Sequence, residues 1–165
     1  MGKKQDIRKI FHLDHFFISK MHVEWSNAIP ENEKKSSNPW IDYDVLRNEK
    51  NPLLFMMRLA VDALYMDKPE KCGYCIKTEI LGFFSFSEDA KEEEIQYLSH
   101  LNGLQILYGI LRGQIALVTG SFPMGIYTLP SIYMEDVIRE AQERKEAGSL
   151  RKTESRNKKR TSPKM

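Results

Sequence analysis

The chain has 165 residues, of which 41% are hydrophobic and 29% charged, and its net charge is +2. These values are ordinary for one soluble globular domain with a sizeable core. No apolar run approaches the roughly 20 residues that span a bilayer, which excludes a membrane-spanning helix. The basic N-terminus lacks the apolar core of a signal peptide and the Ser or Thr of a myristoylation site, so we expect a cytoplasmic protein.

Charge is distributed unevenly along the chain. Residues 148–165 contain seven Lys or Arg residues and one acid, so this segment carries +6 and the remainder carries −4. The segment has almost nothing to bury. We therefore predict a single folded domain over residues 1–147 and a basic disordered tail over 148–165. The tail either keeps the protein soluble or contacts nucleic acid or another polyanion.

Four stretches alternate between apolar and polar residues, which predicts β-strands that each have one buried face. They cover residues 16–25, 40–46, 53–65 and 74–86. In the first strand the predicted buried face consists of Phe17, Met21, Val23 and Trp25. The connections are polar and contain no helical pattern, so we expect one antiparallel sheet.

The periodicity changes to steps of three and four residues after Phe86, which predicts a long helix. Ser87 is the predicted N-cap, and the acids at 92–94 suit the positive end of the helix dipole. From Leu104 to Val118 the helix is apolar on nearly every side, whereas a sheet can cover only one stripe of it.

Glycines in this helix suggest what covers the second side. Gly103, Gly109 and Gly113 each weaken a helix but allow another backbone to approach closely. One explanation is a helix–helix contact between subunits, with Gly103, Leu107, Gly109 and Ile110 as the predicted oligomer interface. The other is a kinked helix inside a monomer core.

The segment that follows the helix is unusually apolar for a loop. Gly120 ends the helix and Pro123 prevents its continuation. Residues 121–133, which we call the crossover loop, are rich in aromatic residues and proline. A short charged helix is predicted over 134–148, with a thin apolar stripe formed by Val137, Ile138 and Ala141.

Motifs of catalysis are missing from the sequence. It contains no Gly-rich phosphate loop, no G-x-S-x-G and no H-E-x-x-H, so we expect no enzymatic activity, no catalytic residues and no cofactor. Cys72 and Cys75 form a C-x-x-C at the start of a strand pattern, where we expect plain thiols and no metal. A zinc ion shared between subunits is the alternative.

The excess of apolar residues indicates a polypeptide-binding groove. The candidate peptide-binding residues are Trp25, Trp40, Phe55, Phe122, Ile126, Tyr127, Leu129 and Tyr133. The competing interpretation of each is ordinary packing in the core.

Three patches within residues 11–140 together resemble the SecB family of export chaperones. They are "FHLDHFFISKMHVEW" with Glu24 near its end, "GFFSFS" before the acidic helix start, and "LRGQIALVTGSFPMGIYTLPSIYMEDV". The third resembles a family pattern through Arg112, Thr119, Phe122–Pro123, Leu129–Pro130 and Tyr133.

The resemblance implies an α+β fold. This is a four-stranded antiparallel Greek-key sheet with a long helix packed on it, a crossover loop and a second, C-terminal helix. It also implies a homotetramer that binds unfolded or precursor polypeptides in an apolar groove, without ATP. The crossover loop would help to wall that groove, which accounts for its apolar composition.

The resemblance also bears on the role of such a chaperone. Family members that serve export present acids to the SecA translocation motor, and here Glu24 is the candidate translocase contact. Lys20 and Lys77 stand where acids are expected, which argues against SecA docking. A general export chaperone is therefore one expectation. The alternatives are a chaperone dedicated to one client, of toxin–antitoxin or phage type, and a polyanion-associated protein that acts through the basic tail.

Overall fold

The computed structural model describes residues 10–27, 39–66 and 72–160, with side chains described as far as residue 147 except at Met66. Four strands form one sheet: β1 (Phe11–Ser26), β2 (Trp40–Arg47), β3 (Leu54–Met66) and β4 (Gly73–Phe86). Every neighbouring pair is antiparallel and the spatial order is β1-β4-β3-β2, which is a Greek key. The predicted sheet is confirmed, while the polar connections predicted at 28–38 and 67–71 lie outside the described residues.

The side chains on the core face of β1 are not all the predicted ones, because the strand contains two irregularities. The register with β4 shifts between Leu13 and His15 and again between Ile18 and Lys20. Each shift inserts one residue and moves the following side chains to the other face of the sheet. Ile18 therefore shares the core face with Met21, and Phe17, 47% exposed, lies on the opposite face. The prediction that Phe17 faces the core is wrong for this reason.

The predicted long helix is continuous but has three parts. These are α1 (Glu92–Tyr97), a π-helical turn (Leu98–Asn102) and α2 (Gly103–Thr119). The predicted N-cap at Ser87 is wrong: Lys91 is the N-cap, and its backbone N–H donates to the Glu94 carboxylate at 3.0 Å. Ser87 lies in the preceding turn, where its carbonyl accepts from the N–H of Ala90. The Glu94 carboxylate thus satisfies the backbone N–H of the N-cap residue, which is the glutamate half of a capping box.

The core lies between the sheet and one stripe of α2. Side chains with 0–1% exposure come from the helix and from both central strands: Leu104, Leu107, Leu111, Ile115, Met57, Leu59, Val61, Tyr74, Ile76, Ile80 and Phe84. The face of the sheet that is opposite α2 is called the outer face below. Because α2 buries only one stripe, several apolar residues on its far side stay exposed.

The last helix, α3 (Met134–Arg160), is longer than predicted. Its backbone continues through residues 148–160, where a disordered tail is expected, because Lys, Arg and Glu in this segment are good helix formers. The predicted disorder of 161–165 lies outside the described residues. The predicted stripe is confirmed in that Ala141 is buried and Val137 and Ile138 pack against the core. Among the helices that the structure describes, none combines the length and hydropathy needed to cross a membrane.

Candidate peptide-binding site

The crossover loop begins on a rigid anchor at the end of α2. The Thr119 hydroxyl, which is fully buried, donates to the carbonyl of Ile115 at 2.7 Å and accepts the backbone N–H of Tyr127 at 2.8 Å. The Tyr74 hydroxyl donates to the carbonyl of Gly125 at 2.7 Å. Gly125 has φ of 76°, a left-handed conformation that favours glycine. These bonds fix the first half of the loop on α2 and β4.

The second half of the loop is fixed by Tyr108 of α2. Its hydroxyl donates to the carbonyl of Pro130 at 2.8 Å. Burial raises the pKa of the Tyr108 phenol to about 12, so the group stays protonated and can donate at physiological pH. The neighbouring Leu129 is 0% exposed and belongs to the core. The loop is thus held in one conformation, which lowers the entropic cost of binding through it.

Aromatic rings connect the loop to one end of the sheet. The Tyr127 ring lies 5.0 Å from that of Tyr65 and 6.1 Å from that of Tyr74, and the Phe122 ring lies 5.9 Å from that of Tyr74. Trp25 pairs with Tyr74 across β1 and β4, so it lies at the same end of the sheet. This aromatic cluster brings together three of the predicted residues, namely Trp25, Phe122 and Tyr127, each of which is half-buried.

Other predicted peptide-binding residues divide into exposed and buried ones. In the crossover loop Ile126 is 73% and Tyr133 84% exposed, and both are large apolar groups held by an anchored backbone. Trp40, on β2, is 50% exposed but lies on the outer face, away from the loop. Phe55 and Leu129, in contrast, are packed in the core of the monomer. Ile126 and Tyr133 are therefore the exposed members of the predicted set in the crossover loop, and Phe122 and Tyr127 are partly accessible.

Sequence reasoning did not select Tyr65 and Tyr74 as site residues. Tyr65 ends one regular alternation and Tyr74 begins the next, and they face each other in the register of β3 and β4. Their position at one end of neighbouring strands is a signal that could have placed them together once the pairing was known.

Of the α2 residues predicted to form the oligomer interface, some are packed against the sheet and others are accessible. An added Cβ at Gly103 would collide with the buried Met57 side chain, so this glycine already serves a close contact with the sheet. Leu107 is 0% exposed in the same core. At Gly109 an added Cβ would meet nothing within 4 Å. The accessible stripe of α2 consists of Gly109 and the half-buried Ile110 together with Ile106 and Leu117, which are 38% and 72% exposed.

An ionic network occupies the middle of the outer face. The Arg58 guanidinium donates to Asp42 and Asp44 of β2 and to Glu79 of β4. A hydrogen bond from the Ser19 hydroxyl, at 2.7 Å, and the contact with Arg58 together lower the pKa of Glu79 although burial opposes the shift. All three carboxylates are engaged within the sheet.

The predicted translocase contact lies on the outer face beside cations. Glu24 is exposed, with its carboxylate 3.3 Å from Nε2 of His22. The ammonium group of Lys20 lies 3.9 Å from the Glu79 carboxylate and is largely exposed, and Lys77 is exposed on the same face. The charges around Glu24 are therefore mixed.

A second apolar area lies on the outer face, where β2 and β3 meet. Leu46 and Leu54 are 54% and 37% exposed, and together with Met56 and Phe83 they line a shallow cavity of about 370 Å³. The Phe83 ring stacks on that of His15 at 4.3 Å.

Comparison with solved structures identifies the fold. Over 77% of this chain and 94% of the other, the structure is similar to the Mycobacterium tuberculosis SecB-like chaperone Rv1957 in complex with a ChAD peptide from the Rv1956 HigA1 antitoxin, with a TM-score of 0.57 and 15% sequence identity. The fold is SecB-like. A protein of unknown function from Streptococcus agalactiae is similar with a TM-score of 0.46 and 12% identity over 73% of this chain and 97% of the other.

Sequence comparison adds one relative. The chain is 26% identical over 127 residues to an uncharacterized protein from Methanocaldococcus jannaschii, covering 76% of this chain and 81% of that protein. No protein-family model matches the sequence. The SecB-like fold predicted from the three sequence patches is thus confirmed by structural similarity.

Metal-binding clusters are missing from the part of the chain that the structure describes. Within those ranges no group of three or more His, Cys, Asp or Glu residues could hold a metal ion. Cys72, which is buried, precedes β4, and Cys75 lies within it. The position of the two cysteines at the start of the last strand is the predicted one.

Proposed function

We propose that this SecB-like protein is an ATP-independent cytoplasmic chaperone that binds unfolded or extended polypeptide, and that it serves a dedicated client. The observation that carries the proposal is the anchored crossover loop, which exposes Ile126 and Tyr133 and contributes Tyr127 to the aromatic cluster. The similar structure of Rv1957 supports it, because that SecB-like chaperone is in complex with a peptide from an antitoxin.

Capture by this surface is driven by burial of apolar side chains. Complete burial of a large aliphatic or aromatic side chain contributes about 1.5–3 kcal/mol. Ile126 and Tyr133 are exposed and have this contribution available, whereas Leu129 is already buried in the core. The side chains of Thr119 and Tyr108 hydrogen-bond to the backbone of the loop. Because the loop is anchored in this way, little ordering is required before a client binds. Neither step requires nucleotide.

General export is the second candidate function. It would require SecA or another translocase to dock on the outer face through Glu24. The exposed cations of Lys20 and Lys77 on that face repel a basic partner surface and make docking through an acidic patch weaker. The dedicated-client function is therefore favoured.

Assembly through α2 belongs to the same proposal. A second copy packed on Ile106, Gly109, Ile110 and Leu117 would cover the apolar stripe that the sheet leaves open. We propose a homotetramer built on this contact, with grooves formed between the sheets.

The range of polypeptides that the protein binds tests the proposal of a dedicated client. Several unrelated reduced and unfolded polypeptides, together with peptides covering proteins encoded next to the chaperone, are titrated with the labelled protein while light scattering gives the mass of the complexes. We expect binding to one neighbouring client at least about tenfold tighter than to the unrelated chains, which is roughly 1.4 kcal/mol. Equal affinity for all of them would support a general holdase, and no binding to any would contradict a chaperone function.

A further inference from the structure

The helix α3 reaches the free edge of the sheet through two cationic side chains. Arg144 Nη2 donates to the carbonyl of Ile41 at 2.7 Å, and Lys145 Nζ donates to the carbonyl of Tyr43 at 2.8 Å. Lys145 also lies 3.2 Å from the Asp44 carboxylate. We call Arg144 and Lys145 the α3 latch.

The position of β2 explains why these carbonyls need partners. β2 is the last strand in the order β1-β4-β3-β2 that the described residues form, and within them it pairs on one side, with β3. In an antiparallel pair the backbone groups of alternate residues point away from the partner strand, and here they belong to Ile41 and Tyr43. Such an edge can accept another strand unless it is covered. The latch donors occupy the same acceptors that the N–H groups of an added strand would use.

The contacts that hold the latch are exposed, so another polypeptide can displace them. The side chain of Lys145 is 53% exposed and that of its partner Asp44 44% exposed. Beyond Ala141, the last buried residue described on α3, residues 142–147 are all exposed. Surface ion pairs made by long flexible side chains stabilise little. The latch therefore covers the edge without burying it.

Side chains beside this edge specify what would fit there. Trp40 is 50% exposed, and the Arg144 guanidinium lies 5.8 Å from its ring. Displacing Lys145 removes one of the two cations from the Asp44 carboxylate and leaves Arg58. A strand with an apolar residue opposite Trp40 and a basic residue opposite Asp44, four positions apart, would replace both lost contacts.

We propose that the edge of β2 docks an extended segment of the client polypeptide, which displaces the α3 latch and pairs with the backbone of Ile41 and Tyr43. The inference rests on the proposed function, because it assumes that a polypeptide is bound. It adds a backbone-pairing surface, separate from the crossover loop, and it gives α3 the role of a competitor for that surface.

Hydrogen exchange on the unmodified chain tests where the client binds. The reduced, carboxymethylated polypeptide that binds most tightly in the client titration is added until light scattering shows a complex, and exchange of the β2 amides is followed. We expect the amides of Tyr43 and Val45, which lie on the free edge, to exchange at least about tenfold more slowly in the complex. A complex in which these amides exchange as before would overturn the edge-docking proposal and leave the proposed function intact, whereas the lack of any complex would overturn both.

A latch variant tests the competition. Arg144→Ala/Lys145→Ala removes both donors, and we expect client affinity to rise roughly threefold to tenfold, because the competitor for the edge has gone. The matched control is Glu143→Ala/Glu146→Ala, which changes two exposed residues of the same helical turn and should leave client affinity unchanged. Unchanged or weaker binding by the latch variant, with normal folding by circular dichroism, would contradict the latch.

Discussion

Arg58 joins carboxylates from two different strands of the sheet. It bonds to Asp42 and Asp44 of β2 and to Glu79 of β4. The side chains of Arg58 and Glu79 are 25% and 18% exposed, so their charges are only partly screened by water. Removing the cation would leave three neighbouring carboxylates that repel one another. The residue therefore ties the edge strand to the centre of the sheet.

The Glu79 contacts predict a pH dependence of stability. Hydrogen bonds from Ser19 and Arg58 lower the pKa of Glu79 below its ordinary value of 4.5. Since the folded pKa lies below the unfolded one, this stabilisation is complete above about pH 5 and is lost as pH falls through the folded pKa. We expect the free energy of unfolding in urea to decrease between pH 5 and pH 3.

The variant Glu79→Gln tests whether Glu79 causes this loss of stability at low pH. It retains a hydrogen-bonding side chain but cannot titrate, so its stability should fall less steeply over the same pH range, although it starts lower. Parallel curves for the two proteins would show that Glu79 does not contribute to the pH dependence.

Replacing each of two glycines of α2 by alanine should change the free energy of unfolding in opposite directions. Gly103→Ala forces a methyl group against the end of the buried Met57 side chain, and overpacking of about 1–3 kcal/mol, reduced by a helix gain of up to about 1 kcal/mol, should leave a net loss in the free energy of unfolding. Gly109→Ala is the matched control, because nothing lies within 4 Å of its added Cβ. In the monomer it should stabilise the helix by up to about 1 kcal/mol.

Urea denaturation at low protein concentration measures both glycine variants, and light scattering reports their mass. A stable Gly103→Ala protein would contradict the packing of α2 on the sheet. A Gly109→Ala protein that assembles less than the parent would support the proposed α2 contact between copies, while unchanged assembly would argue against close approach at this residue.

Most of the elements could be predicted because their hydrophobic periods are regular. The alternating residues of β3 from Phe55 to Ala63, such as Met57 and Val61, are all buried as expected. The face of Phe17 in β1 could not be predicted from that of Met21, because the register shift between them is set by pairing with β4 and leaves no mark in a single sequence. The N-cap at Lys91 was missed since its capping partner is the Glu94 side chain, a weaker signal than a Ser or Thr.

At the scale of the whole molecule, the site was only partly predictable. The composition of the crossover loop indicates an apolar surface, but a loop has no period that separates inward from outward residues. Leu129 and Ile126 therefore looked equivalent in the sequence, whereas the structure buries the first and exposes the second. The edge contacts of Arg144 and Lys145 join residues about a hundred positions apart, so only the folded chain brings them together.

The central claim is that the exposed loop residues capture unfolded polypeptide. The most direct measurement is binding of one reduced, unfolded client to Ile126→Asp/Tyr133→Asp, compared with the parent protein by size exclusion with light scattering. The control, Phe16→Asp/Phe17→Asp, places the same charges on exposed apolar residues of β1, the strand at the opposite edge of the sheet from β2. We predict that the parent and the control bind the client and that the loop variant loses at least about tenfold in affinity. Equal binding by the loop variant, or no binding by the parent, would contradict the account.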